Sequence, residues 1–153
     1  MKPVVVRTRV PAGVAETFRL FTEEVDAWWK RGPRFRFGPD GREGILAFEG
    51  RVGGRFVERF PEGDALSVGE VLAWEPPSGF AFRLHPSAPG GGPGTRVEVA
   101  FRAIDAATTE VTLTHSGLET VPAGGRTGAL RSTALRNVLS VWWADLLSGL
   151  RRA

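Results

Sequence analysis

The stretch "TRVEVAFRAIDAATTEVTLTHS" (95–116) alternates apolar and polar residues with period two, breaks at "DAAT", and takes the alternation up again. Successive side chains of a strand point to opposite faces, so this pattern predicts an antiparallel hairpin with one apolar and one polar face. In 95–104, parity sets Val97, Val99, Phe101 and Ala103 on the apolar face and Arg96, Glu98 and Arg102 on the other. In 109–116, Val111, Leu113 and His115 point together, and Glu110, Thr112, Thr114 and Ser116 point away. An antiparallel sheet with one apolar face needs something to cover that face.

Moving outward, the same period predicts strands at 4–10, 44–50, 53–60, 66–75 and 80–85, separated by turn-formers such as "PEGD" and "EPPSG". Two short helices are expected after the first strand. One is at 14–24, with apolar residues at 14, 18 and 21 behind Pro11; the other holds "DAWWKR". "HPSAPGGGPGT" (85–95) reads as a loop between strands. The chain closes with a long helix at 128–151, whose Leu135, Val138, Leu139, Trp142, Leu146 and Leu150 form one stripe. The prediction is an α+β single domain over 1–153: a curved antiparallel sheet of about seven strands around a long C-terminal helix. A curved sheet cannot pack flat on a helix, which favours a cavity between them.

The 42% hydrophobic and 24% charged residues fit a soluble globular protein. No apolar run approaches the roughly 20 residues of a membrane span, and the first ten residues do not read as a signal peptide. A cytoplasmic location is therefore expected. A chain without cysteine has no disulfide and no thiolate metal site. The pI near 10.5 suggests nucleic acid, yet the net charge is only +3. Eighteen of the twenty cationic residues are arginine, and acids interleave with them in "RVGGRFVERFPEGD", so the bases read as solvated faces. No metal-ligand spacing, phosphate loop or cofactor fingerprint appears, so neither metal nor cofactor is expected.

Two polar residues fall on the predicted inner face: His115, and Glu70 within the set Leu66, Val68, Glu70, Leu72 and Trp74. In 53–60, Phe56, Glu58 and Phe60 align against Arg55, Val57 and Arg59, and either face could be inward. An inward Glu70 and His115 either orient a ligand or move a proton, or they satisfy structural hydrogen bonds. The pairs Trp28-Trp29 and Trp142-Trp143 read as core or pocket wall, one of each pair buried and the other at a boundary. The bases after Trp29 are expected on an exposed loop at the pocket mouth. Ligand-binding candidates are Trp28, Trp29, Glu70, Trp74, Phe101, His115 and Trp142.

Several short motifs occur in a suggestive order. They are Val10-Pro11 with Phe18 and Trp28-Trp29, then Gly53-Gly54 with Phe56, and Gly69-Glu70-Val71. Pro76-Pro77 follows, and then Leu113, His115 and Gly117. Together they resemble the SRPBCC (START-like) superfamily, and more narrowly the homologues of the heat-shock-protein-90 ATPase activator. The resemblance implies a helix-grip fold, in which seven antiparallel strands grip a C-terminal helix over a hydrophobic cavity. The superfamily includes lipid carriers, hormone receptors, polyketide cyclases and co-chaperones. The leading expectation is a binding module for a small hydrophobic or aromatic molecule, lipid or polyketide-like, acting as a monomer or homodimer. The alternatives are a cyclase or hydratase using His115 or Glu70 as general acid/base, and a protein that contacts a chaperone.

Overall fold

The computed structural model describes residues 2–85, 94–120 and 128–153. Seven strands form one antiparallel sheet: β1 (Val4–Val10), β2 (Ile45–Phe48), β3 (Arg55–Arg59), β4 (Ala65–Glu75), β5 (Gly79–Leu84), β6 (Thr95–Asp105) and β7 (Thr108–Ser116). The spatial order is β1-β7-β6-β5-β4-β3-β2, a meander from β2 to β7 with β1 added beside β7. Helices α1 (Val14–Thr22) and α2 (Val25–Trp28) follow β1, and α3 (Gly128–Arg151) ends the chain. This is the α+β architecture that the alternation predicts, a sheet of seven antiparallel strands with a long C-terminal helix, and it is the helix-grip-like fold that the resemblance implies. Of the glycine-rich loop expected at 85–95, residues 86–93 lie outside the described residues. No helix among the described residues is long and apolar enough to cross a membrane.

The β6–β7 hairpin keeps the predicted parity. Val97 faces His115, Val99 faces Leu113 and Phe101 faces Val111, all on the covered side and all buried. Strand β4 does not keep it. Phe56 pairs with Gly69 and Val57 with Ser67, which leaves Val68 as an extra residue. Val71 pairs with Phe82 and Ala73 with Ala81, which leaves Leu72 as a second. Each such bulge shifts the alternation by one. Between the two bulges Gly69 and Val71 therefore turn inward and Glu70 turns out, opposite Arg83 and Arg55. Glu70 is 43% exposed and its Oε1 accepts a hydrogen bond from Arg83 at 3.1 Å. The expectation of an inward Glu70 is thus corrected. The second bulge restores the phase, so Trp74, opposite Phe80, does face inward.

The core is aromatic. Every Phe and Trp of the chain except Phe60 joins one continuous chain of ring contacts. It runs from Trp74 and Phe18 through Phe101, Phe21 and Phe80 to Phe48, Phe56, Trp29 and the α3 tryptophans. Edge-on contacts dominate, the geometry in which the ring quadrupoles attract. Trp143, Leu146, Leu147 and Leu150 of α3 are fully buried against this core. Val138, placed on the stripe by sequence, is instead 63% exposed. The stripe is centred on Trp143 rather than Trp142, and that rotation moves Val138 to the outside. Gly149 lets α3 approach α2 closely: a Cβ there would stand 2.5 Å from the Trp28 carbonyl oxygen.

Candidate functional site

Trp28 and Trp29 are both buried, which corrects the expectation of one inside and one at a boundary. The reason is local. Helix α2 stops at Trp28, and Trp29 adopts extended backbone (φ −71°, ψ 121°), so the two rings need not diverge by a helical step. Each indole N–H donates to a carbonyl, Trp28 Nε1 to Phe21 O at 3.3 Å and Trp29 Nε1 to Phe35 O at 2.9 Å.

The basic segment behind them is a strap rather than a free loop. Arg31 and Arg34 are exposed, but the Arg36 guanidinium is buried, with a side chain only 1% exposed. It donates to Asp26 Oδ1 and to the carbonyls of Trp29 (2.7 Å), Lys30 (3.1 Å) and Gly44 (3.1 Å). A buried charge needs this degree of pairing. Glu58 is the carboxylate that does point inward. Its Oε1 accepts the N–H groups of Phe37 (2.8 Å) and Gly38 (3.1 Å), and its Oε2 accepts Gly44 N–H at 2.7 Å. Outside, Lys30 and Arg34 both reach Asp145 of α3, at 2.6 and 3.5 Å. Trp142 stacks on Phe35 and donates from Nε1 to Arg34 O at 2.7 Å. The strap therefore binds the middle of α3 to the sheet.

His115 is buried on the inner face. The Trp143 indole donates to its Nδ1 at 3.0 Å, and its Nε2 lies 2.7 Å from Thr95 Oγ1. An indole can only donate, so Nδ1 is the unprotonated nitrogen and the neutral ring carries its proton on Nε2, facing Thr95. Burial pushes its pKa down to about 4. The Trp143 N–H acts in the same direction, because an imidazolium has no lone pair at Nδ1 to receive it. Glu70 and His115 lie on opposite faces of the sheet and are not brought together. Phe101 is buried beneath Phe18 and Phe21 of α1.

Among the described residues, two of the places where apolar surface is exposed adjoin the core. One is an open cleft of 420 Å³ between α1 and the β4–β5 turn, lined by Phe18, Thr22, Trp74, Pro76, Pro77 and Arg19 among others. Trp74, a ligand-binding candidate together with Trp142, lies here instead, away from the α3 tryptophans. Arg19 is already paired with Glu16 and Glu24, so it offers no free charge. The other place is the inner face itself. Phe48 and Leu84 on the sheet, and Leu135, Leu139 and Trp142 on α3, pack against the core yet remain partly exposed. Trp142 stands at this margin, as expected for one member of its pair.

Arg136 was not among the sequence candidates. It lies seven residues before Trp143, which at 3.6 residues per turn returns it to within about 20° of the same face. Its Nε is buried and has no hydrogen-bond partner. Counting back one heptad from Trp143 would have found it. Among the described residues no group of three or more His, Asp or Glu side chains is placed to hold a metal.

This curved sheet, strapped helix and incompletely covered inner face define a helix-grip domain. The family model described as Activator of Hsp90 ATPase homolog 1-like protein matches residues 12–128, and the chain belongs to that family. Among solved structures it is 30% identical to Txn09, an anthrahydroquino-gamma-pyrone synthase, over 81% of this chain and 82% of that one, with a TM-score of 0.56. DynU16, a putative protein in the dynemicin biosynthetic locus, is 24% identical over 99% of this chain and 46% of its own, with a TM-score of 0.62. The Aha1 dimer from Colwellia psychrerythraea is 18% identical over 99% and 94%, with a TM-score of 0.63. The last two similarities show the fold alone. Among curated proteins the chain has no match.

Proposed function

We propose that the chain binds a small hydrophobic or aromatic molecule, of lipid or polyketide-like character, between the sheet and the N-terminal half of α3. The observation that carries this reading is the partly buried apolar lining: Phe48, Leu84, Leu135, Leu139 and Trp142 pack against the core without being fully covered. Apolar surface left uncovered on folding forgoes about 25 cal/mol per Å² that a ligand recovers when it fills the space. Trp29, edge-on to Trp142 and backed by Trp28, supports the wall from behind, and His115 holds Trp143 in position. Similarity to Txn09, a synthase of an aromatic polycycle, favours a planar ligand.

The same similarity favours a second, catalytic reading. It would need groups other than the Glu70–His115 pair, since Glu70 faces outward and both nitrogens of His115 are engaged.

Tryptophan emission during titration with 1,8-dihydroxyanthraquinone tests the binding reading. Saturable quenching is expected, weakened in Leu139→Trp, where the larger ring would occupy the uncovered space. An unresponsive wild-type protein would sink it.

A further inference from the structure

Among the described residues, the ionisable groups on the inner side of this domain are satisfied almost to the last atom. Glu58 receives three backbone N–H groups, Arg36 is matched by Asp26 and several carbonyls, and both nitrogens of His115 are engaged. Arg136 is the exception. Its Nε is buried without a hydrogen-bond partner, and among the described residues no carboxylate lies within ion-pair distance of its guanidinium. Leaving such a donor unmet costs about 1–3 kcal/mol, more for a charged group, so an unmet one within an otherwise saturated interior calls for a partner that is not part of the chain.

Its place on α3 says where that partner sits. Arg136 shares the face of Trp143, Leu147 and Leu150, all buried, and lies about 10 Å toward the N-terminus from Trp143 at ~1.5 Å rise per residue. A helical side chain leans toward the N-terminus of its helix, so the guanidinium reaches further along the uncovered half. Leu135 and Leu139, both partly exposed, flank it in sequence.

We propose that Arg136 is the anion-recognising group of the ligand site, and that the ligand is an aromatic acid. Its carboxylate bonds to the guanidinium edge while its ring lies on the apolar lining. A guanidinium offers paired parallel N–H donors at the spacing of the two carboxylate oxygens. The proposal rests on the binding reading above and narrows it from hydrophobic molecules in general to those carrying an acid group beside a ring system.

Isothermal titration with 2-naphthoate and its neutral analogue 2-naphthamide, on wild type, Arg136→Met and Arg136→Lys, tests it. Wild type should prefer naphthoate by about tenfold or more, the value of one charge-assisted contact. Arg136→Met should lose the preference and keep its affinity for the amide, and Arg136→Lys should keep part of the preference. Equal binding of the two probes by wild type, or a preference that survives in Arg136→Met, overturns the role of Arg136 and leaves the binding reading standing. Failure of wild type to bind either probe overturns both. A ligand-free melting experiment adds an independent readout. Arg136→Met should melt no lower than wild type, since it removes an unmet donor; a fall of several degrees would show a structural role instead and overturn the proposal.

Discussion

Between Trp143 and Leu150, helix α3 fully buries the four side chains it turns to the core, Trp143, Leu146, Leu147 and Leu150, whereas between Leu135 and Trp142 the apolar residues that pack inward stay half exposed. One helix thus meets one sheet in two ways. The closed half is held from both sides: Gly149 brings the backbone onto Trp28, His115 receives the Trp143 indole, and the 30–36 strap grips Asp145. Among the described residues the open half has partly buried apolar side chains and an Arg136 Nε without a partner, and it is tied to the strap only at its end, through Trp142. Fold stability resides in the first, and on the reading proposed above recognition resides in the second.

The sharpest way to break that comparison is a matched pair of truncations. Trp143→Ala should cost about 4 kcal/mol, because it opens a large cavity in a fully buried layer and leaves His115 Nδ1 unpartnered, while Leu139→Ala should cost about 1 kcal/mol. Urea denaturation measures both, and equal losses would erase the distinction between the two halves.

Acid should loosen the closed half next. Unfolded, His115 titrates near its ordinary 6.5; folded, it titrates at about 4. Between those values the unfolded chain binds the additional proton. The stability from this group is therefore whole above pH 6.5, declines as pH falls toward 4, and changes little below. The linked loss is ~3 kcal/mol in total. The stability difference between wild type and His115→Gln should shrink by about that amount between pH 7 and pH 4. A difference independent of pH would mean that the imidazole is less well sealed.

Gly149→Ala follows, at about 2 kcal/mol, since the added methyl meets the rigid Trp28 carbonyl rather than a side chain that can swing away. A melting temperature close to that of wild type would show the α2–α3 contact to be looser than the packing implies. Smallest is Glu70→Ala: with both partners of the Arg83 pair more than two-fifths exposed, the change should stay below about 1 kcal/mol and leave ligand binding untouched. A larger effect on binding would return Glu70 to the site.

The strand count, the two short helices and the long final helix were all legible in the sequence, because each is marked by a period that neighbouring residues carry among themselves. The inner face of 95–116 was equally readable, since no bulge interrupts the alternation between Val97 and Phe101 or between Val111 and His115. Glu70 was not. Nothing in "LSVGEVLAW" announces that Val68 and Leu72 are extra residues, because a bulge exists only relative to the partner strand. Of the candidate site, the inward His115 was accessible from pattern, and so was the split of the α3 pair into one buried and one marginal tryptophan, but the stripe put Trp142 rather than Trp143 inside; Arg136 is reached only by counting from Trp143. The burial of Arg36 could not, because its partners Asp26, Trp29, Lys30 and Gly44 converge only when the strap folds.

The amino-acid order alone determined which segments are strands and helices and that their apolar faces must meet, since periodicity is a local property of the chain. Tertiary structure decided which carboxylate enters the interior, that both Trp28 and Trp29 are buried, and, among the described residues, which buried guanidinium nitrogen is left without a partner. Those outcomes depend on register between strands and on groups far apart in sequence competing for the same hydrogen bonds, and neither is written in any single stretch.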